Sequence, residues 1–415
     1  MTHGRLCAAL CRALASSTGS PPVRAESVVS GPSAAKVTDG RIGDAALMRQ
    51  RGERLTAAEQ MLANGDAHAA LAQFEQVATM LHAPDTEAGI VRSQMQMGEY
   101  RRALAFASHT AGAHLEAPAA AALYAWLLRV GGQDAYASLV LEAALQRHAA
   151  DPVLVATRRA LAEPRPSVPP ELLEAPYRLA PYEWRGANDG ESTRTVSLNS
   201  NARSVGTGFL IDGGRRALVA LDIVDGATAI WVRSALGQTR EARVDARLDR
   251  SGLALLWLDA AMELPPSVDA EPTTATVDQW AGSPGYVIEY ATSERGGPSW
   301  PFLQAGFFGD AASPGGPRLG ITSVGPGGAA VFDANGRWIG IAMHADASRP
   351  ADRRWMPISA LRKALPLLDE GRPVSPAPSL RPAESSVAPS LGQRLGLDAV
   401  YEGAMPRILQ VLVQD

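Results

Sequence analysis

The strongest constraint on this chain is a recurrence. Pro84, Pro118 and Pro152 follow one another about every 34 residues through an Ala- and Leu-rich stretch, 44–163, that has no other proline. Gly65-Asp66, Gly98-Glu99 and Gly131-Gly132 mark turns at the same period. Ala70, Ala103 and Ala137 follow those turns at a nearly constant offset, where two helices must approach closely. A period of this length means stacked helical pairs, because one pair alone cannot bury its apolar face, and stacking leaves a concave groove. Phe74 and Leu139 are expected to fill the space between neighbouring pairs.

With its turn glycine, small residue and terminal proline, the stretch resembles three tetratricopeptide repeats over about 51–152, capped by a helix at 153–163. The aromatic positions of that family are mostly aliphatic or polar here, as at Met61 and Gln94. The resemblance implies a protein or peptide partner in the groove, the alternative being an array that only supports or dimerises the second half. In the carboxylate-clamping subtype the groove is basic, and Arg92, Arg101 and Arg102 are the nearby candidates. His68, His82, His109, His114 and His148 are spread over these helices, where solvated or capping roles are expected. No metal site and no cofactor is read from the sequence.

Six prolines between Pro164 and Pro181 then stop any helix, so 164–192 reads as a semi-extended linker able to pack on either neighbour. Beyond it, over 193–368, the pattern changes to short β-rich segments broken by Gly, Pro, Asn and Asp. Strands are expected at Thr195–Asn199, Thr207–Ile211, Leu218–Leu221, Ala229–Val232, Arg240–Leu248, Leu253–Leu258, Gly285–Ile288, Phe302–Phe308, Gly320–Ser323, Ala330–Phe332 and Trp338–Met343. So many short strands suggest a closed or double barrel. The tryptophans should be mostly core, with Trp300, flanked by Pro298 and Pro301, in a surface loop.

Four ordered blocks carry a second resemblance. Gly206-Thr207-Gly208-Phe209-Leu210-Ile211, Leu218 to Ala227, Leu248 to Leu256 and Gly325 to Ile341 are similar to the strands and nucleophile loop of trypsin-like serine proteases of the HtrA type. The implied fold class is multidomain: an all-α, tetratricopeptide-like region followed by an all-β trypsin-like double β-barrel. In this alignment the triad positions fall on Asp222, Gly252 and Gly327, so the implied catalytic set is substituted throughout. The only histidine from Thr193 to Leu368 is His344. Without an imidazole to take its proton, a serine of ordinary pKa is a poor nucleophile. A rearranged site using Ser323, His344 and Asp346 is the alternative, a peptidase with a non-standard centre. Gly325, Gly327 and Gly328 could still accept a peptide carbonyl, with His344 near the old specificity pocket, although Pro326 removes one N–H. Peptides could also add as a strand along edges near Gly320–Ser323 and Met343–Ala347.

Residues 369–390 read as a Pro/Ser linker and 391–415 as a helix followed by a strand, Ile408–Val413. The segment Val400 to Leu412 looks like the one preceding the first barrel strand of HtrA-type proteases, at the wrong end of the chain. Its near-continuous apolar run is expected to dock on a barrel edge. Residues 1–43 read as a leader or disordered terminus. Arg5, Arg12 and Arg24 without acidic residues, and Val23-Arg24-Ala25, are compatible with export, yet Arg12 interrupts the apolar stretch. Cell envelope or periplasm is favoured, with cytoplasm open. A net charge of -4 and a pI near 6.0 argue against nucleic acid. No apolar run approaches a membrane span, and Cys7 and Cys11 leave the rest of the chain without thiols. The reading is a non-catalytic scaffold or peptide-binding protein of open oligomeric state.

Overall fold

The computed structural model describes residues 35–163, 166–183, 198, 201–269, 271–275, 279–294, 296–310, 317–321, 325–343, 353–365 and 394–414. Residues 50–415 form one compact unit, and every contact below lies within it.

The amino-terminal half is helical: α1 (Ala35–Ala63), α2 (Ala67–Met80), α3 (Pro84–Gln96), α4 (Tyr100–Ala113), α5 (Pro118–Val130), α6 (Asp134–Arg147) and α7 (Pro152–Ala162). Pro84, Pro118 and Pro152 each open a helix, where the missing N–H would have had no partner anyway. Gly65, Gly98 and Gly132 sit at positive φ in the turns that follow α1, α3 and α5. Ala70, Ala103 and Ala137 are all buried, as the close-approach reading requires. Phe74 is fully buried, and its ring lies where a Cβ on Gly89 would overlap it. Leu139 corrects the expectation: it is 65% exposed. Phe74 lies four residues after Ala70, on the same helix face. Leu139 lies only two after Ala137, and the matching position is Leu141, which is buried.

The second half holds β1 (Arg203–Ile211), β2 (Arg216–Ala220), β3 (Ala229–Ser234), β4 (Thr239–Leu248), β5 (Leu253–Leu258), β6 (Pro284–Glu289), β7 (Phe302–Phe308), β8 (Leu319–Gly320), β9 (Ala330–Asp333), β10 (Trp338–Ala342), β11 (Trp355–Pro357), α8 (Ile358–Ala364), α9 (Leu397–Ala404) and β12 (Ile408–Gln414). Six strands close a barrel in the order β1-β12-β3-β4-β5-β2. The others form a sheet ordered β11-β10-β9-β6-β7-β8. The two ends of that sheet meet at a bridge between Arg318 and Arg354, where Leu319 N–H donates to Arg353 O at 2.8 Å. The α-then-β order holds. Of the expected strand Thr195–Asn199, only residue 198 is described, and it is not in a strand.

Strand β12 does more than dock on an edge. It pairs antiparallel with β1 (Leu409 with Gly208) and with β3 (Leu409 with Ser234), filling the gap between them. Leu409, Val411 and Val413 point into the barrel core, while Ile408 joins the cluster shared with the helices and Leu412 packs beneath Trp231. Both faces are therefore buried, which explains a run that does not alternate.

One cluster joins the halves, running from Tyr100, Trp126 and Leu127 to Phe302, Leu303, Tyr401 and Met405. The Trp126 and Phe302 ring centres are 5.8 Å apart, and those of Tyr100 and Tyr401 4.6 Å. Leu172 and Leu179, within the proline-rich stretch, belong to the same cluster. The Gln96 side chain accepts from Tyr182 N–H and donates to Tyr182 O and Leu236 O, so residues 181–183 lie clamped between helix and barrel. Trp300 is 1% exposed rather than in a surface loop.

Candidate functional site

The four blocks that carry the protease resemblance converge. Leu221 N–H donates to Gly252 O at 2.9 Å. A Cβ on Gly206 would meet Pro326 at 3.0 Å and Ile223 at 3.1 Å. Gly328, at φ +82, lies so close to Thr207 O and Ala220 N that a Cβ would sit 2.6 and 2.8 Å from them, and its own N–H donates to Ala342 O at 2.9 Å. Leu221 bonds Gly252 directly and Pro326 and Ile223 both approach Gly206, so the segments around Asp222, Gly252 and Gly327 gather around one spot. What stands at those positions is a carboxylate and two glycines. Gly252 occupies a left-handed turn (φ 62) that suits a residue without Cβ. His344, Ser323 and Asp346 lie outside the described residues.

Asp222 is exposed and lines a cavity of about 500 Å³ with Arg203, Ser204, Asp225, Ser293 and Glu294. Two hydroxyls nearby are engaged within the fold. Ser204 accepts from Gln410 of β12 at 3.2 Å, and Thr207 accepts from Tyr290 N–H at 2.8 Å. Asp225 is ion-paired with Arg247 at 2.7 Å, and the hydrogen bond from that guanidinium holds its carboxyl below the ordinary value.

The glycine turn is also engaged. Gly325 N–H donates to Glu289 Oε2 at 3.2 Å, and Arg353 Nη2 donates to Gly325 O at 3.5 Å. Glu289 and Arg353 pair at 3.4 Å with both side chains fully buried. Burial pushes the Arg353 guanidinium below its usual range, and Glu289 pulls it back up. The amides of Gly325 and Gly328, expected to await a peptide carbonyl, therefore already have acceptors inside this chain; a carboxylate serves the first. Gly327 is buried between them. Glu289 and Arg353 went unread in the sequence: Glu289 merely ends the apolar strand at Gly285–Ile288, and Arg353 is one of many arginines.

The arginines expected to face a ligand are likewise engaged. Arg92 is buried against Glu59, with Tyr182 OH at 3.5 Å. Arg101 binds Asp398 at 3.1 Å through its side chain and Glu402 at 2.7 Å through its N–H, both on α9. Arg102 is surface-exposed and pairs with Glu99. Of the expected strand edges, Gly320, Ile321 and Met343 are described: Gly320 pairs with Phe307 of β7, and Met343 N–H bonds Arg354 O at 2.8 Å. Among the described residues, one group brings three potential metal ligands within 4.8 Å of one another: His82, Glu87 and His114, in the helical half.

No family model matches the sequence, and no curated protein matches it. Solved structures do. The chain is similar, at 19% identity and a TM-score of 0.32, to an inactive mutant form of Rv3671c from M. tuberculosis H37Rv, covering 42% of this chain and 87% of that one. It is similar to the serine endoprotease from Yersinia pestis at 16% identity and a TM-score of 0.33, covering 41% and 64%. The HtrA-type protease AlgW with a decapeptide matches at 17% and 0.33, covering 40% and 51%.

Proposed function

We propose that this chain is a non-catalytic scaffold or peptide-binding protein, in which a tetratricopeptide-like array is joined to a trypsin-like, HtrA-type pseudoprotease. The reading rests on Asp222, Gly252 and Gly327, which align with the triad positions and whose neighbours meet at one spot. A carboxylate and two glycines offer no hydroxyl to acylate and no imidazole to take its proton. The turn at Gly325 supports the same reading, since its N–H is satisfied by Glu289 rather than held ready for a developing oxyanion. With Arg92, Arg101 and the sheet ends engaged internally, the apolar surface left to a partner includes Tyr136 and Leu139, three residues apart on α6 and both more than half exposed.

The test is chemical. Full-length protein should neither cleave casein nor react with a fluorophosphonate probe, and Gly327→Ser alone should stay unreactive because it restores a hydroxyl without a base. Probe labelling of the parent protein that disappears on heat denaturation would mean a folded nucleophile exists, and would overturn the proposal.

A further inference from the structure

Three imidazoles converge on one buried carboxylate at one end of the helical stack. His82 lies in the connection between α2 and α3, Glu87 in the first turn of α3, His109 on α4 and His114 at the carboxyl end of α4. Because α3 and α4 run antiparallel, the start of one meets the end of the other, and residues up to 32 positions apart come together. His82 Nε2 is 2.6 Å from Glu87 Oε1, His114 Nε2 3.5 Å from Glu87 Oε2, and His109 Nε2 3.8 Å from Glu87 Oε1.

The Glu87 side chain is 3% exposed and that of His114 8%. A buried carboxylate needs a compensating charge or hydrogen bonds, yet Glu87 Oε2 and His114 Nε2 both lack a hydrogen-bond partner while facing each other. The other ring nitrogen of His114, Nδ1, is 3.2 Å from Glu116 Oε1. A proton donated there leaves the Nε2 lone pair aimed at the Glu87 carboxylate, two acceptors across a gap. A carboxylate behind a ligating imidazole is the usual support of a metal-bound histidine. Donor atoms around a tetrahedral zinc stand roughly 3.3–3.5 Å apart, as bond lengths near 2.0–2.2 Å dictate. His114 and Glu87 stand at 3.5 Å, His82 and Glu87 are at the closer distance of a hydrogen bond, and all three ligand atoms lie within 4.8 Å of one another.

We propose that His82, Glu87 and His114 bind one divalent transition-metal ion of the zinc class, clipping the α2–α3 connection to the end of α4, with His109 next to the site at 3.8 Å from Glu87 Oε1. Two imidazoles and a carboxylate suit zinc and its neighbours rather than magnesium or calcium. The site is independent of the pseudoprotease reading, as it uses no residue of the β half.

Tag-free, full-length protein stripped with a chelator and titrated with Zn²⁺ should take up one ion per chain and melt several degrees higher. Co²⁺ in its place should give the intense visible bands of a low-coordinate site. His82→Ala, whose parent side chain is 59% exposed and so can be removed without harming the fold, should weaken Zn²⁺ binding at least tenfold. Glu116→Gln, which acts only behind His114, should weaken it on the order of tenfold. His68→Ala, exposed on α2 and outside the cluster, should bind as the parent does. Absence of stoichiometric uptake, or equal weakening by His68→Ala, overturns the proposal. A melting temperature that ignores Zn²⁺ and chelator overturns it too, leaving the cluster as imidazole–carboxylate pairs alone.

Discussion

Two buried carboxylates organise two distant parts of this molecule, and they are compensated in opposite ways. Beneath the glycine turn, Glu289 meets a fully buried guanidinium and accepts from Gly325 N–H. In the helical half, Glu87 meets imidazoles and keeps one oxygen without a hydrogen bond. The first arrangement is closed around its carboxylate, since a permanent cation and a backbone donor both engage Glu289. The second is open, because imidazole carries a lone pair as readily as a proton. The contrast is that the carboxylate beneath the glycine turn is paired with a buried cation of its own chain, while the one in the helical half keeps an oxygen without a hydrogen bond.

The hardest way to break the comparison is to uncover the closed side. Glu289→Leu should cost about 3–5 kcal/mol in urea denaturation, the usual penalty for leaving one member of a buried pair uncompensated. The double variant Glu289→Leu with Arg353→Leu should recover much of that loss, although Gly325 N–H still loses its acceptor. Equal losses in the single and double variants would show that the pair is not what closes the turn. On the open side, Glu87→Gln should shift the stability of chelator-treated protein by only about 1 kcal/mol, since His82 and His109 are more than half exposed and water can satisfy them.

A third carboxylate sharpens the comparison at the smallest scale. Glu402 on α9 is half-buried and accepts from Arg101 N–H, and burial pushes its carboxyl above the ordinary value. A raised carboxyl pKa favours the folded state below the unfolded value, and that contribution is lost as pH rises through the folded one. Glu402→Gln should therefore match the parent in melting temperature near pH 4 and exceed it slightly near pH 7, with the gap opening just above the ordinary glutamate range of about 4.3. A gap that stays constant across that range would show that the shift is not felt by the fold.

Much of the architecture was legible in the sequence, for identifiable reasons. Leu253–Leu258 and Phe302–Phe308 have the bounds expected from their apolar and β-branched or aromatic content, and the three glycine turns fall where their period puts them. Strand β11 was missed because three residues ending in proline make no pattern. The apolar run at Ile408–Val413 signals burial but cannot say beside what; its place between β1 and β3 is a tertiary fact. The site divides the same way. Motif spacing singled out Asp222, Gly252 and Gly327 as the triad-aligned positions, but the partner of Gly325 N–H is Glu289, thirty-six residues earlier. Arg101 has the charge for a ligand, and only packing reveals α9 already on it. The histidines looked scattered because their closeness comes from two antiparallel helices, which linear spacing does not encode.

The seating of β12 also sets an order on the birth of the protein. Its two partners, β1 and β3, leave the ribosome about 200 residues ahead of it, and at 5–20 residues per second that is an interval of roughly 10–40 s. Throughout it the nascent barrel lacks a stave, and both flanking strands offer bare backbone to whatever else is nearby. This half of the molecule can finish only after its most distant strand is made, so a companion that shields those two edges during synthesis would govern how much of the chain reaches its final form.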